Sequence, residues 1–216
     1  GGFGAVLLAN EYAWSGNKTE VGEGLDRVWD AFRRCVERGM GQRGDLPGGL
    51  GVKRRAHTLL ERVETAVDPT YRHIARAQAY AYAINEENAA GGMVVTAPTN
   101  GAAGVIPAVM MYRASFGEQP MSDDDVLRFI LVSGQIGALF KQNATSSAAM
   151  GGCQAEIGVS SAMAAGGLTE IMGGSPDQAL MAAEIAMEHH LGMTCDPVGG
   201  LVQVPFGVAL VIRSAL

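Results

Sequence analysis

"SPDQALMAAEIAMEHHLG", Ser175 to Gly192, reads as one complete helix with both of its ends written in. A serine hydroxyl can accept the backbone N–H three residues on, a proline fits the first helical position, and Gln178 can reach back to the serine N–H. Small and apolar side chains then carry the helix to a glycine that closes it. The device recurs at Ser122 and Asp125 in "SDDDVLRFILVSGQIGALFK", which predicts a helix ending near Lys141. Asp68 followed by Pro69 opens a third helix that runs to Gly91 and Gly92. Val21, Leu25, Val28, Trp29, Phe32 and Val36 recur at helical spacing and predict a helix from Glu20 to Met40, with Cys35 in its last turns. "MVV" at Met93 begins like a short strand, but convincing alternation is absent elsewhere. No internal repeat or low-complexity linker divides the chain, so residues 1–216 are expected to form one compact all-α domain with few or no strands.

Composition narrows the function. Hydrophobic residues make up 48% and charged residues 18%, below the usual quarter, so part of the surface is expected to be covered by another subunit or domain. The net charge is −6 and the cations fall in short groups such as "VKRR", Val52 to Arg55, which excludes nucleic acid as a partner. The longest apolar stretches, such as Phe129 to Phe140, are too short to span a bilayer, so no membrane segment is expected. The opening "GGFGAVLLANEYAW" lacks the basic start and cleavage site of a signal peptide, and a cytoplasmic location follows as the expectation. Three cysteines, Cys35, Cys153 and Cys195, form no C-x-x-C pair and argue against a disulfide framework.

"AAMGGCQAEIGVSSAMAAGGLTEIMGG" places Cys153 among so many glycines and alanines that the small residues must serve close approach, either of helices or of backbone and thiolate toward an inorganic cofactor. Cys195 lies close in sequence to His189 and His190, so a Cys–His nucleophile is one reading. Zinc lacks the usual paired spacing, whereas an iron–sulfur cluster tolerates cysteines far apart in sequence. "TAPTNGAAG", with Thr96, Thr99, Asn100 and Gly101, offers hydroxyls, an amide and a run of backbone N–H groups suited to a carboxylate or phosphate. "KQNATSS" gathers Lys141, Asn143 and Ser147 at a helix end, although a lysine there is also favoured by the helix dipole.

Taken together, "NEENAAGGMVVTAPTNGAAGVIPAV", "KQNATSSAAMGGCQAEIGVSSAMAAGGL", "AAEIAMEHHLGMTCDPVGGLVQVP" and "LPGGLGVKRRA" resemble the iron–sulfur L-serine dehydratases, over their α domain or α chain, from about Ala9 to Pro205. The resemblance implies deamination of L-serine to pyruvate and ammonia with a four-iron four-sulfur cluster, in a mainly helical domain. It implies Cys153 and Cys195 as cluster ligands brought near one another, and leaves Cys35 as a structural thiol. Where the family has a third cluster cysteine after "VP", this chain has Phe206, and the tail beyond it departs from the family pattern. The family's N-terminal β domain or β chain is the partner implied, in a homo- or hetero-oligomer. With L-serine as substrate, Thr96, Thr99, Asn100 and Gly101 are expected at its carboxylate, with Asn143 and Ser147 as further polar contacts. His189, His190 and Lys141 are the candidates for proton transfer. The alternatives are a pyridoxal-phosphate lyase using Lys141, and a non-catalytic subunit that has lost the cluster.

Overall fold

The structure is a computed structural model that describes residues 2–117 and 119–194. Its described residues form helices α1 (Phe3–Ser15), α2 (Lys18–Gly41), α3 (Ala56–Thr65), α4 (Pro69–Ala89), α5 (Val105–Phe116), α6 (Asp123–Asn143), α7 (Ala148–Gly151), α8 (Cys153–Ile171) and α9 (Pro176–Glu188). The all-α expectation holds; the one β feature among these residues is an isolated bridge between Asp45 and Lys53. No helix among them is long and apolar enough to cross a membrane.

The local signals act as their chemistry requires. Ser122 and Ser175 each complete a capping box, with Asp125 and Gln178 answering the N-cap backbone. Asp68 accepts the Thr70 N–H at 2.9 Å and Pro69 starts α4. Past Glu188 the chain turns, and Gly192, at φ 85°, takes the left-handed conformation that closes the helix. The strand expected at "MVV" does not form. Val94 packs on one apolar cluster and Val95 on the other, so the alternation is present, but among the described residues no neighbouring strand offers a hydrogen-bond ladder.

Helix α8 is the hub, packing along α6 and α9 and crossing α5. It can do so because side chains are missing where backbones meet. A Cβ on Gly166 would sit 2.1 Å from Ile136 Cδ1, and one on Gly158 would sit 2.3 Å from Met187 Sδ. At Gly167 a Cβ would fall 2.4 Å from Ser133 Oγ and 2.9 Å from the Phe129 carbonyl oxygen. For these three glycines, then, the close neighbour is another helix rather than a cofactor. Ile157, Val159 and Met163 of α8 join Phe129, Val132 and Ile136 of α6 in the main core. Burial on this scale supplies the dominant favourable term for the assembly. Buried Glu170, near the end of α8, accepts the Gly4 N–H at 3.0 Å and lies 3.6 Å from Arg128, which fastens the start of α1 to α6.

A second cluster joins α2, α4 and α5 and contains Cys35, 2% exposed, whose thiol burial pushes above its ordinary value. Cys35 is therefore a small core hydrophobe here, as expected. Its helix approaches α4 at Gly39, where a Cβ would lie only 2.2 Å from the Ala83 carbonyl oxygen.

Two substitutions separate these roles. Gly39→Ala is expected to cost about 2–3 kcal/mol, because the methyl meets backbone that cannot rotate away. Gly134→Ala in α6, where an added methyl meets nothing within 4 Å, is expected to stabilise by about 0.5–1 kcal/mol. Urea unfolding followed by far-ultraviolet circular dichroism reads both.

Candidate functional site

The start of α8 collects most of the residues that the sequence singled out. Gly152, at φ 75°, turns the chain out of α7, so that half-buried Cys153 becomes the first residue of a 19-residue helix. Its sulfur is held in a disulfide, contrary to the expectation that the cysteines form none, so only the reduced form of Cys153 could serve as a metal ligand. Three positions on, Glu156 also stands in the first turn of α8.

The loop from Thr96 to Gly101 lies against Glu156. The Thr99 hydroxyl donates to Glu156 Oε2 in a short hydrogen bond, and a Cβ on Gly101 would come 3.1 Å from the same oxygen. Within the loop, the Thr96 hydroxyl donates to Asn100 Oδ1. Asn88, at the end of α4, donates from Nδ2 to the Asn100 carbonyl oxygen at 3.2 Å and holds the loop from behind. Beneath it Asn85 is 2% exposed, and neither atom of its amide finds a hydrogen-bond partner among the described residues. Its Oδ1 would lie 2.9 Å from a Cβ on Gly104, the N-cap of α5. A buried amide left this way costs on the order of 1–3 kcal/mol, which a bound polar group at the site would offset.

Gln154 ties in the histidine turn. Its Oε1 accepts the Gly192 N–H at 2.8 Å and its Nε2 donates to the Gly151 carbonyl at 3.2 Å. The two histidines of that turn differ sharply. His190 is 1% exposed, with Nδ1 on the Ala186 carbonyl and Nε2 3.2 Å from the buried Ser161 hydroxyl. That geometry pins the end of α9 against α8. His189 is exposed; its Nδ1 donates to the Ile185 carbonyl at 2.8 Å, and its Nε2 has no partner among the described residues.

Of the remaining candidates, Lys141 is exposed in the last turn of α6, where the helix dipole alone favours a cation. Asn143 donates to the Leu139 carbonyl of its own helix at 3.0 Å. Ser147 is the N-cap of α7 and donates its N–H to Thr145 Oγ1 at 3.0 Å. Among the described residues, no hydrogen bond joins these three to Glu156 or to the 96–101 loop. Cys195 and Phe206 lie outside the described residues, and with them the expected approach of Cys153 to Cys195. The described residues contain no group of three or more His, Cys, Asp and Glu placed to hold a metal ion.

Glu156 is the residue that sequence reasoning passed over. It stood inside "GGCQAEIG", three positions after Cys153, a spacing that puts both on one face of a helix.

Comparisons with known proteins point to one family. The serine dehydratase alpha chain family matches residues 3–206. An L-serine dehydratase of Streptomyces coelicolor is 54% identical over 93% of this chain and 44% of its own length. L-serine dehydratases of Haemophilus influenzae and Escherichia coli, the latter TdcG, are 51% and 49% identical with the same shares covered. The chain thus spans under half the length of these curated relatives. It belongs to the serine dehydratase alpha chain family.

Thr99→Val removes the hydroxyl that holds the loop on α8. A hydrogen bond to a charged group contributes roughly 1.5–3 kcal/mol, so amide hydrogen exchange in the 96–101 loop should accelerate about tenfold or more. Exchange in α4 is expected to stay as it was.

Proposed function

We propose that this member of the serine dehydratase alpha chain family converts L-serine to pyruvate and ammonia, with Cys153 and Cys195 as ligands of a four-iron four-sulfur cluster. The observation that carries the reading is the meeting of the 96–101 loop with Glu156, one helical turn from Cys153. The family supports the substrate, and the donor chemistry supports the cofactor. Once its disulfide is reduced, Cys153, at a helix start beside the positive-φ Gly152, would be a soft sulfur ligand of the kind that iron–sulfur clusters use. When bound, such a cluster supplies Lewis acidity toward the serine hydroxyl, which is otherwise a poor leaving group.

The chain's own residues do the rest. The serine carboxylate takes the backbone N–H groups of the loop from Thr96 to Gly101, whose Thr96 and Thr99 hydroxyls are committed to Asn100 and Glu156 and hold its shape, with the Asn100 and Asn85 amide nitrogens as further donors. Glu156, held from one side by Thr99, keeps an oxygen for the substrate ammonium, and this fixes the Cα–H in orientation. His189 accepts the α-proton at Nε2, while His190, both of whose nitrogens already have partners, positions the turn. The turn reaches the site through the hydrogen bond of Gly192 to Gln154. Asn143, Ser147 and Lys141 form the outer polar edge, and the β domain or β chain covers the site. The aminoacrylate released by elimination hydrolyses to pyruvate and ammonia.

The test uses the complete enzyme, reconstituted anaerobically with iron and sulfide. Glu156→Gln should raise KM for L-serine by about tenfold or more while iron content stays unchanged, because a neutral amide cannot pair with an ammonium. Cys153→Ser should lower bound iron and abolish pyruvate formation together. Full turnover by the iron-free Cys153→Ser enzyme would exclude the cluster reading.

A further inference from the structure

A cavity of about 330 Å³ lies between α3 and α4, and its walls include Lys53, Arg54, Arg55 and Arg62 with Gln78 and Tyr82 of α4. It shares no residue with the 96–101 loop or the start of α8, and nothing proposed above uses it. Among the described residues, no acidic side chain lines it. The acids nearest in sequence are committed elsewhere: Glu61 lies 3.7 Å from Arg43, and Glu64 lies 2.9 Å from Arg76. Buried Glu86 accepts the backbone N–H groups of Arg55 and Ala56, at 2.5 and 3.5 Å.

The four cations divide into two pairs. Arg54 pairs at 3.1 Å with buried Glu87, which also takes Arg38 at 3.3 Å, and Lys53 pairs with Asp45. Arg55 and Arg62 make no contact ion pair among the described residues, although buried Glu86, which accepts the Arg55 N–H, lies close enough to interact with the Arg55 charge. Arg55 is nevertheless held in place, because its Nη1 donates to the Tyr82 hydroxyl at 3.1 Å and its guanidinium lies 5.2 Å from the centre of the Tyr82 ring. Neither contact cancels its charge. Arg55, Leu59 and Arg62 follow helical spacing, which aligns the two guanidinium groups that make no contact ion pair along one side of α3 with an apolar residue between them. In a chain of net charge −6, this is a local reversal of sign inside a concave, part-buried groove.

We propose that this groove binds a small doubly charged oxyanion, a metabolite carrying a phosphoryl group or two carboxylates. Planar guanidinium groups match such oxygens two at a time, and Tyr82, Thr58 and Gln78 add neutral donors. The volume suits a small molecule at the lower end of ligand pockets. The proposal does not depend on the serine reaction, and its test reads binding alone.

Isothermal titration of the full chain at low ionic strength, with inorganic phosphate and with malonate as probes and chloride as the control, decides it. One saturable site is expected for at least one of the two probes, with chloride at least tenfold weaker. Tighter phosphate binding assigns a phosphoryl ligand; tighter malonate binding assigns a dicarboxylate. Arg62→Gln, at an exposed position, and Arg55→Gln should each weaken binding about tenfold or more, and Arg62→Glu should abolish it. Arg27→Gln, on the exposed face of α2, should change nothing. Absence of saturable binding to either probe overturns the proposal, and so does affinity that Arg62→Gln and Arg62→Glu leave intact.

Discussion

Everything in this fold depends on how closely other helices can approach α8. Its neighbours on α6 and α9 come so near that a single methyl at Gly158, Gly166 or Gly167 would overlap them. That closeness has an energetic cause, since dispersion and burial grow as gaps disappear, and an energetic cost, since glycine inside a helix loses about 1 kcal/mol relative to alanine. The helix forms because it is packed on several sides rather than because its sequence prefers helix.

Function follows from the same constraint. A helix clamped over its length presents its first turn in a fixed place, and that turn carries Cys153 and Glu156. The 96–101 loop meets it through Thr99 and is backed by Asn88 at the end of α4. The site therefore joins two parts of the core, the α6–α8–α9 layer and the α2–α4–α5 layer, and a strain in either would be felt there. Relatives of more than twice this chain's length place the same segment in a larger protein, consistent with a surface that is unusually poor in charge.

What was legible in the sequence was local. The capping residues Asp68, Ser122 and Ser175 announced three helices because each answers a backbone group two or three residues away. Helices α5 and α8 gave no such sign: apolar or small on every side, they have no polar face to set a period. "MVV" misled because a strand needs a partner, which the described residues do not provide. Glu156 escaped notice because its meaning depends on Thr99, 57 positions away. The two adjacent histidines could not be ranked from sequence, since one residue of rotation about the helix end decides which is buried against Ser161. The motifs that carried the family resemblance were long enough to be read directly, and the family match over residues 3–206 agrees with them.

The central claim is that the 96–101 loop and the first turn of α8 form one pocket for L-serine. Hydrogen–deuterium exchange of the anaerobically reconstituted enzyme, with and without saturating L-serine, tests it directly. The account predicts protection confined to two peptides far apart in sequence, one covering residues 96–104 and the other residues 153–157. Protection by L-serine elsewhere in the chain, with both of these peptides unchanged, would contradict it.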